Sequence, residues 1–284
     1  MMLSNEQFEY GSLAIHAQSW GMSDEAAVLA LHGWLDNSAS FEPLAARLRN
    51  VRWLAPDLLG HGWTGHLPRQ ESYTIEQHAR ALARMIERQD WPSLTLVGHS
   101  LGAGIATVLA AAMPARVNRL VLIDALGPPA ITPRASVSRL LDSVRCSQPA
   151  ALPAHVIYPS IQAAIEIRRR TAQLSHEAAA ALAARDLIST SDGFASRSDR
   201  RLAAKPHLTM TEEECLALLA NVKCPTLLIR ASGGWLTDDL VIRRSAVMGT
   251  LSVVEVEGGH HVHMERPDHL SDLIIRFLQT ERVD

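Results

Sequence analysis

Residues 93–113 read Ser-Leu-Thr-Leu-Val-Gly-His-Ser-Leu-Gly-Ala-Gly-Ile-Ala-Thr-Val-Leu-Ala-Ala-Ala-Met, and they restrict the fold more than any other stretch. An alternating strand pattern ends at Val97, and a helix-forming apolar run begins at Leu101. Between them lies Gly98-His99-Ser100-Leu101-Gly102. The chain must turn sharply there, so that Ser100 projects its hydroxyl from the strand end. In so tight a turn the residues two before and two after the serine can hardly carry a Cβ, which accounts for the glycines. A G-x-S-x-G string alone is weak; its place between a strand and a helix is the specific part.

The flanking sequence repeats this strand-then-helix rhythm. A hairpin over residues 7–19 turns at Gly11, and Ala27 to Leu31 is a continuous apolar run suited to a strand buried on both faces. A helix follows over about Phe41 to Leu48, then a strand at Val51 to Ala55 and a helix from Thr74 to Gln89 that closes before Pro92. Val117 to Ile123 is another buried strand. The rhythm then lapses: residues 126–215 show no convincing buried strand, but Ala-rich helical stretches such as Glu177 to Leu187. It resumes with strands at Pro225 to Ile229 and Leu251 to Val256, a helix between them, and a last helix from Pro267 to Leu278. The expectation is an α/β protein with a mostly parallel sheet covered by helices on both faces. Its core is 1–125 and 216–284, interrupted by a helical cap at 126–215.

Bulk properties exclude several classes. A chain of 284 residues suits one large α/β domain with an insertion. The formal net charge of −3 argues against nucleic acid as a partner. Cys146, Cys215 and Cys224 form no C-x-x-C pair, which fits a reducing compartment. The N-terminus lacks a basic start followed by an apolar stretch, and the uncharged run Leu101 to Met113 is too short to span a bilayer. A cytoplasmic protein without membrane insertion is expected. Oligomeric state leaves no mark in the sequence.

A serine hydroxyl is a weak nucleophile at neutral pH and needs an adjacent base, itself oriented by an acid. The base is sought in Glu257-Gly258-Gly259-His260-His261-Val262-His263, on a loop after the last strand. Parallel sheets place their chemistry on such loops. His260, directly after Gly-Gly, is the candidate; His261 and His263 read as packed or solvated loop histidines. Three close histidines raise a metal site, but the stretch supplies no further ligand at recognisable spacing, so no metal is expected. Acyl transfer also needs N–H groups aimed at an oxyanion. One comes from Leu101 and the other from His32-Gly33-Trp34-Leu35-Asp36-Asn37, at Trp34. His32 and His61, in Gly60-His61-Gly62, read as structural.

Together, His32-Gly33-Trp34, Asp57-Leu58-Leu59-Gly60-His61-Gly62, Gly98-His99-Ser100-Leu101-Gly102 and Gly259-His260 before Glu265-Arg266-Pro267 resemble the α/β-hydrolase superfamily over nearly the whole chain. The HGWLDN stretch and the GGHHVHMERP ending look most like the serine-hydrolase-like branch, related to small esterases and carbon–carbon bond hydrolases. The resemblance implies a cofactor-independent hydrolase with a helical cap. One departure concerns the acid. Members commonly carry it after the strand that here ends at Ile229, where this chain has Ala231-Ser232-Gly233-Gly234-Trp235 and no carboxylate before Asp238. Other branches place it after the strand following the nucleophile helix, where this chain has Asp124. Asp124 is favoured, with Asp238 as the alternative.

The leading expectation is hydrolysis of a small-molecule ester, thioester or related acyl bond through an acyl-serine. Ser100 attacks, His260 moves the proton and Asp124 holds the imidazole. The rival is a lyase, carbon–carbon bond hydrolase or cofactor-free oxygenase on the same fold. A non-catalytic binding module is disfavoured by the intact Ser, His and acid set. Ser100 also argues against epoxide hydrolases and haloalkane dehalogenases, which use an aspartate nucleophile. Arg168-Arg169-Arg170 reads as a solvated helix face, with recognition of an acidic substrate group as the alternative.

Overall fold

The computed structural model describes residues 3–21, 27–48, 51–89, 91, 93–145, 156–204, 206 and 208–279. The expected helix stop at Pro92, the thiol of Cys146 and the first two residues lie outside them. In chain order, the first half holds strands β1 (Ser4–Tyr10), β2 (Leu13–Trp20), β3 (Ala27–Leu31), β4 (Arg52–Pro56), β5 (Leu94–His99) and β6 (Val117–Ile123). Its helices are α1 (Glu42–Ala45), α2 (Ile75–Glu87) and α3 (Leu101–Ala112). The segment after β6 contributes α4 (Pro133–Arg145), β7 (Ile157–Tyr158), α5 (Ile161–Ala172), α6 (His176–Asp186), β8 (Leu187–Thr190), β9 (Gly193–Ser196) and α7 (Glu212–Leu219). The chain ends with β10 (Thr226–Gly233), α8 (Asp238–Ser245), β11 (Leu251–Gly259), α9 (Val262–Glu265) and α10 (Pro267–Gln279).

One eight-stranded sheet runs in the order β1-β2-β4-β3-β5-β6-β10-β11. The β1/β2 and β2/β4 pairs are antiparallel and the remainder parallel. Strand periodicity divides the core between the two faces. Leu29, Leu31, Leu96, Leu120 and Leu122 pack on one side with Leu82 and Met85 of α2 and Ile105 and Leu109 of α3. Val28, Ala30, Val97, Val121 and Ile123 pack on the other with Phe41, Leu44 of α1 and Leu270 and Ile274 of α10. Burial on both faces is why these strands read as unbroken apolar runs.

The segment between β6 and β10 is not wholly helical. Besides α4–α6 it holds a three-stranded antiparallel sheet, β7-β9-β8. Strands of two to four residues are too short to print a readable alternation. Ile165, Leu174, Ala178, Ala179, Leu182 and Ala183 make this segment's own apolar cluster, joined by Met264 from the histidine loop. α7 straddles the expected boundary at 215/216, and its Leu219 packs into the main core. No helix among the described residues is long and apolar enough to cross a membrane.

Candidate active site

Ser100 sits between β5 and α3 at φ 51° and ψ −115°, a conformation L-residues rarely adopt. Such backbone costs of order 1–3 kcal/mol and persists only where its surroundings over-determine it. Here the Ser100 N–H donates to the Ile123 carbonyl at 3.1 Å, and its carbonyl accepts from Ala103 and Gly104 at the start of α3. A Cβ on Gly98 would lie 2.5 Å from the Gly102 carbonyl oxygen, and one on Gly102 would overlap the Leu31 carbonyl. The two glycines therefore let helix, strand and neighbouring strand meet closely enough to hold the serine.

β6 ends one residue before Asp124, which also takes positive φ (47°) and is buried. Asp and Asn enter this region more readily than other non-glycine residues. Three donors surround the Asp124 carboxylate: Oδ1 accepts from Ala231 N–H at 3.1 Å, and Oδ2 accepts from Trp235 N–H at 3.2 Å and from His260 Nδ1 at 2.6 Å. A Cβ on Gly234 would collide with the carboxylate, so the glycine-rich loop after β10 is what wraps it. Since the carboxylate accepts at Nδ1, His260 presents Nε2 outward in its neutral form. Asp238, by contrast, is the first residue of α8, with an 80%-exposed side chain paired to Arg230. It does not meet His260.

His260 stands beside the serine turn. His99, the residue before Ser100, donates from Nε2 to the His260 carbonyl at 2.9 Å, and the two rings lie 4.7 Å apart. Among the described residues Ser100 Oγ makes no hydrogen bond; nucleophile–base contacts are often loose before substrate arrives. Trp235 stacks on the His260 ring, with centroids 3.7 Å apart and planes 10° from parallel.

The two expected oxyanion donors, the Leu101 and Trp34 N–H groups, lie just after β5 and β3 respectively. Leu101 is the first residue of α3, and its N–H has no intrahelical acceptor. Trp34 lies in the turn after β3, where Leu35 takes φ 59°. The Trp34 side chain is half-exposed and donates from Nε1 to the Leu202 carbonyl at 3.0 Å. Neither backbone N–H meets a protein acceptor among the described residues.

His32, His61 and His263 are buried. His32 donates from Nδ1 to Gly33 and accepts from Leu58 N–H at Nε2, tying the turn after β3 to the one after β4. Burial pushes its pKa down, and pushes that of His61 well below the ordinary value. His263 is enclosed between Phe41 and His99, also held neutral by burial. Arg169 and Arg170 pair with Glu166. Arg168 does not face solvent: it donates to Asp36 Oδ1 at 2.9 Å and to the Leu35 carbonyl at 2.5 Å.

Asp36 is a site residue that the sequence reading passed over. Burial opposes its ionisation, but the hydrogen bond from His261 and the Arg168 charge hold it well below the ordinary carboxylate range. Its neighbours come from α5 and from the loops at β5 and β11, so nothing in HGWLDN alone could have shown them. Asp36, His99 and His261 are also the one grouping of converging metal-ligand types among the described residues. A second buried pair, Asp57 with Arg185 of α6 at 2.9 Å, clamps the inserted segment to the turn after β4.

Comparison with known proteins places the chain in a family. Residues 26–151 match the family described as the alpha/beta hydrolase fold. A serine hydrolase-like protein of Danio rerio is 30% identical over 282 residues, covering 95% of this chain and 86% of that one. The crystal structure of the hypothetical protein PA1622 from Pseudomonas aeruginosa PAO1 is 30% identical, with a TM-score of 0.90 over 97% of this chain and 99% of that one. The thioesterase domain from the curacin biosynthetic pathway is 27% identical, with a TM-score of 0.86 over 97% of this chain and all of that one (100%). The chain belongs to the α/β-hydrolase superfamily, in its serine-hydrolase-like branch.

Proposed function

We propose that the protein cleaves an ester, thioester or related acyl bond of a small molecule through an acyl-serine intermediate. The observation that carries this reading is the 2.6 Å contact between Asp124 and His260 Nδ1, beside a serine held at positive φ. Asp124 fixes the imidazole tautomer and stabilises the imidazolium; His260 Nε2 takes the Ser100 proton as Oγ attacks the carbonyl, then returns it to the leaving group. The Trp34 and Leu101 N–H groups stabilise the oxyanion. No step calls on a cofactor or metal.

Residues 126–215 act as the cap over this centre, and the substrate is selected where α5 and α6 meet the turn after β3. Arg168 and the Asn37 amide, which donates to the Leu182 carbonyl at 2.9 Å, support that placement. The thioesterase relative favours including thioesters in the substrate class. The free, buried thiols of Cys215 and Cys224 suit a reducing, cytoplasmic setting.

The test is labelling with a fluorophosphonate probe, followed by peptide mass spectrometry and ester and thioester turnover. Covalent mass on Ser100 together with acyl hydrolysis is expected. Turnover that survives Ser100→Ala would instead favour lyase or oxygenase chemistry, in which the serine forms no acyl bond.

A further inference from the structure

Asp36, His99 and His261 approach the same point from three loops: after β3, at the end of β5 and after β11. Asp36 Oδ2 lies 3.3 Å from His261 Nε2 and 3.7 Å from His99 Nδ1, and all three donor atoms fall within 4.8 Å of one another. His99 and Asp36 are almost wholly buried, at 1% and 3% exposure.

The hydrogen bonds fix what each atom offers. A carbonyl oxygen can only accept, so the 2.9 Å contact to the His260 carbonyl places a proton on His99 Nε2. Nδ1 of the neutral ring then presents a lone pair towards the Asp36 carboxylate, and it has no hydrogen-bond partner. Two lone pairs facing one another in a buried pocket repel unless a cation or a donor lies between them, and a buried orphaned nitrogen is a mark of an ion or water. Metal-bound histidines characteristically donate their other ring N–H to a carbonyl or carboxylate, as His99 does here. Arg168 occupies Asp36 Oδ1 and leaves Oδ2 for a ligand, the hydrogen-bonded carboxylate that metal sites also employ.

Gly33 keeps the space open. A Cβ there would lie 2.8 Å from His99 Nδ1 and 3.0 Å from Asp36 Oδ2, between the two donors. Two imidazole nitrogens and one carboxylate oxygen suit zinc and its neighbours rather than magnesium or calcium.

We propose that Asp36, His99 and His261 bind a divalent transition-metal ion of the zinc class, which staples together the three loops flanking Ser100, His260 and the Trp34 N–H. His261, whose Nε2 now donates to Asp36, ligates through the same atom in its other tautomer, the proton moving to Nδ1. The inference is independent of the hydrolase reading, because it concerns binding and stability. The histidine loop by itself supplies only His261; the other two ligands lie far away in the chain, which is why no metal is expected from the spacing of that loop.

The experiment uses tag-free protein, stripped with a chelator and titrated with Co²⁺. One equivalent should produce visible d–d bands, raise the melting midpoint, and be displaced by Zn²⁺. His261→Gln, which keeps a donor for Asp36 but is a poor ligand, should bind about tenfold more weakly or worse, whereas His176→Gln at the exposed start of α6 should bind as the parent does. Anomalous diffraction at the cobalt edge from wild-type crystals locates the ion without relying on any variant. A peak between Asp36, His99 and His261 supports the site. A peak elsewhere, or no stoichiometric Co²⁺ binding, overturns it.

Discussion

Trp235 lies face to face with His260, 3.7 Å between ring centroids, while its backbone N–H donates to the same Asp124 carboxylate that holds the imidazole. One residue thus supports both members of the candidate acid–base pair. It supplies a π-face to the imidazolium formed during attack and an N–H to the aspartate that orients it. At an exposed site a cation–π contact is worth about 0.5–1 kcal/mol. Trp235→Leu should therefore lower kcat by about two- to fivefold with the backbone hydrogen bond retained, and Trp235→Phe should recover most of the loss. Steady-state kinetics on one ester checks this; an unchanged kcat in Trp235→Leu would remove the indole from the mechanism.

Ser100→Ala should leave the melting midpoint close to the parent's, because alanine meets the same backbone strain. It should cut acyl transfer by about 10⁴ or more. His260→Ala should fall about as far, and the double variant little further, since the two groups act as a unit. His261→Ala and His263→Ala should be milder in turnover. Rates of all five proteins on the same substrate make the comparison.

Asp124→Asn retains the size and one acceptor oxygen for Ala231 N–H. Its amide, however, faces His260 Nδ1 and favours the wrong tautomer. Turnover should fall by about 10⁴ with the fold retained. Asp238→Asn should cost less than about tenfold, because that side chain is exposed and does not meet His260. The pair of kcat values, read beside melting curves, decides between the two carboxylates. A dead Asp238→Asn with an active Asp124→Asn would reverse the assignment.

Arg185→Met should be the most destabilising of these changes. Asp57 Oδ1 also accepts from Ser38 N–H and Oδ2 from Trp63 N–H, while Arg185 supplies the compensating charge and lies over the Trp63 ring. Removing one partner of a fully buried ion pair costs about 3–5 kcal/mol. Denaturant titration should show a lower midpoint at an unchanged slope; a loss below about 1 kcal/mol would mean that the pair is solvated on removal of the arginine.

Stability should decline below about pH 6.5. Burial pushes His78 from the ordinary 6.5 down to about 3, and His99 to about 4. Both are neutral in the folded protein over a range where the unfolded chain is protonated. Their contribution is whole above pH 6.5 and is lost as pH falls from there towards the folded values, at about 1.4 kcal/mol per pH unit for each group. His78→Phe keeps an aromatic ring, somewhat larger and without a titratable nitrogen, beside Tyr73 and should flatten this acid limb by about one proton's worth. Melting midpoints at a series of pH values test it; an equally steep limb would place the sensitive group elsewhere.

The strand-and-helix order, the serine turn and the histidine loop were legible in the chain because each is a local pattern. Burial on both faces makes β3, β5 and β6 read as apolar runs, and a strand-to-helix turn without a loop demands glycines around Ser100. Asp124 and Asp238 were both readable as candidates by the same logic. Which carboxylate touches His260 depended on three-dimensional order: β6, β10 and β11 lie side by side, so the Gly-Gly turn after β10 folds over the end of β6 and delivers the β11 loop to Asp124. The same convergence assembles Asp36, His99, His261 and Arg168 from segments up to 225 residues apart. It also pairs Arg185 with Asp57 across 128 positions. Periodicity reports which way a side chain faces along its own strand or helix. It carries no information about which distant loop the sheet order brings to the same edge, and that is where this protein concentrates its buried charges.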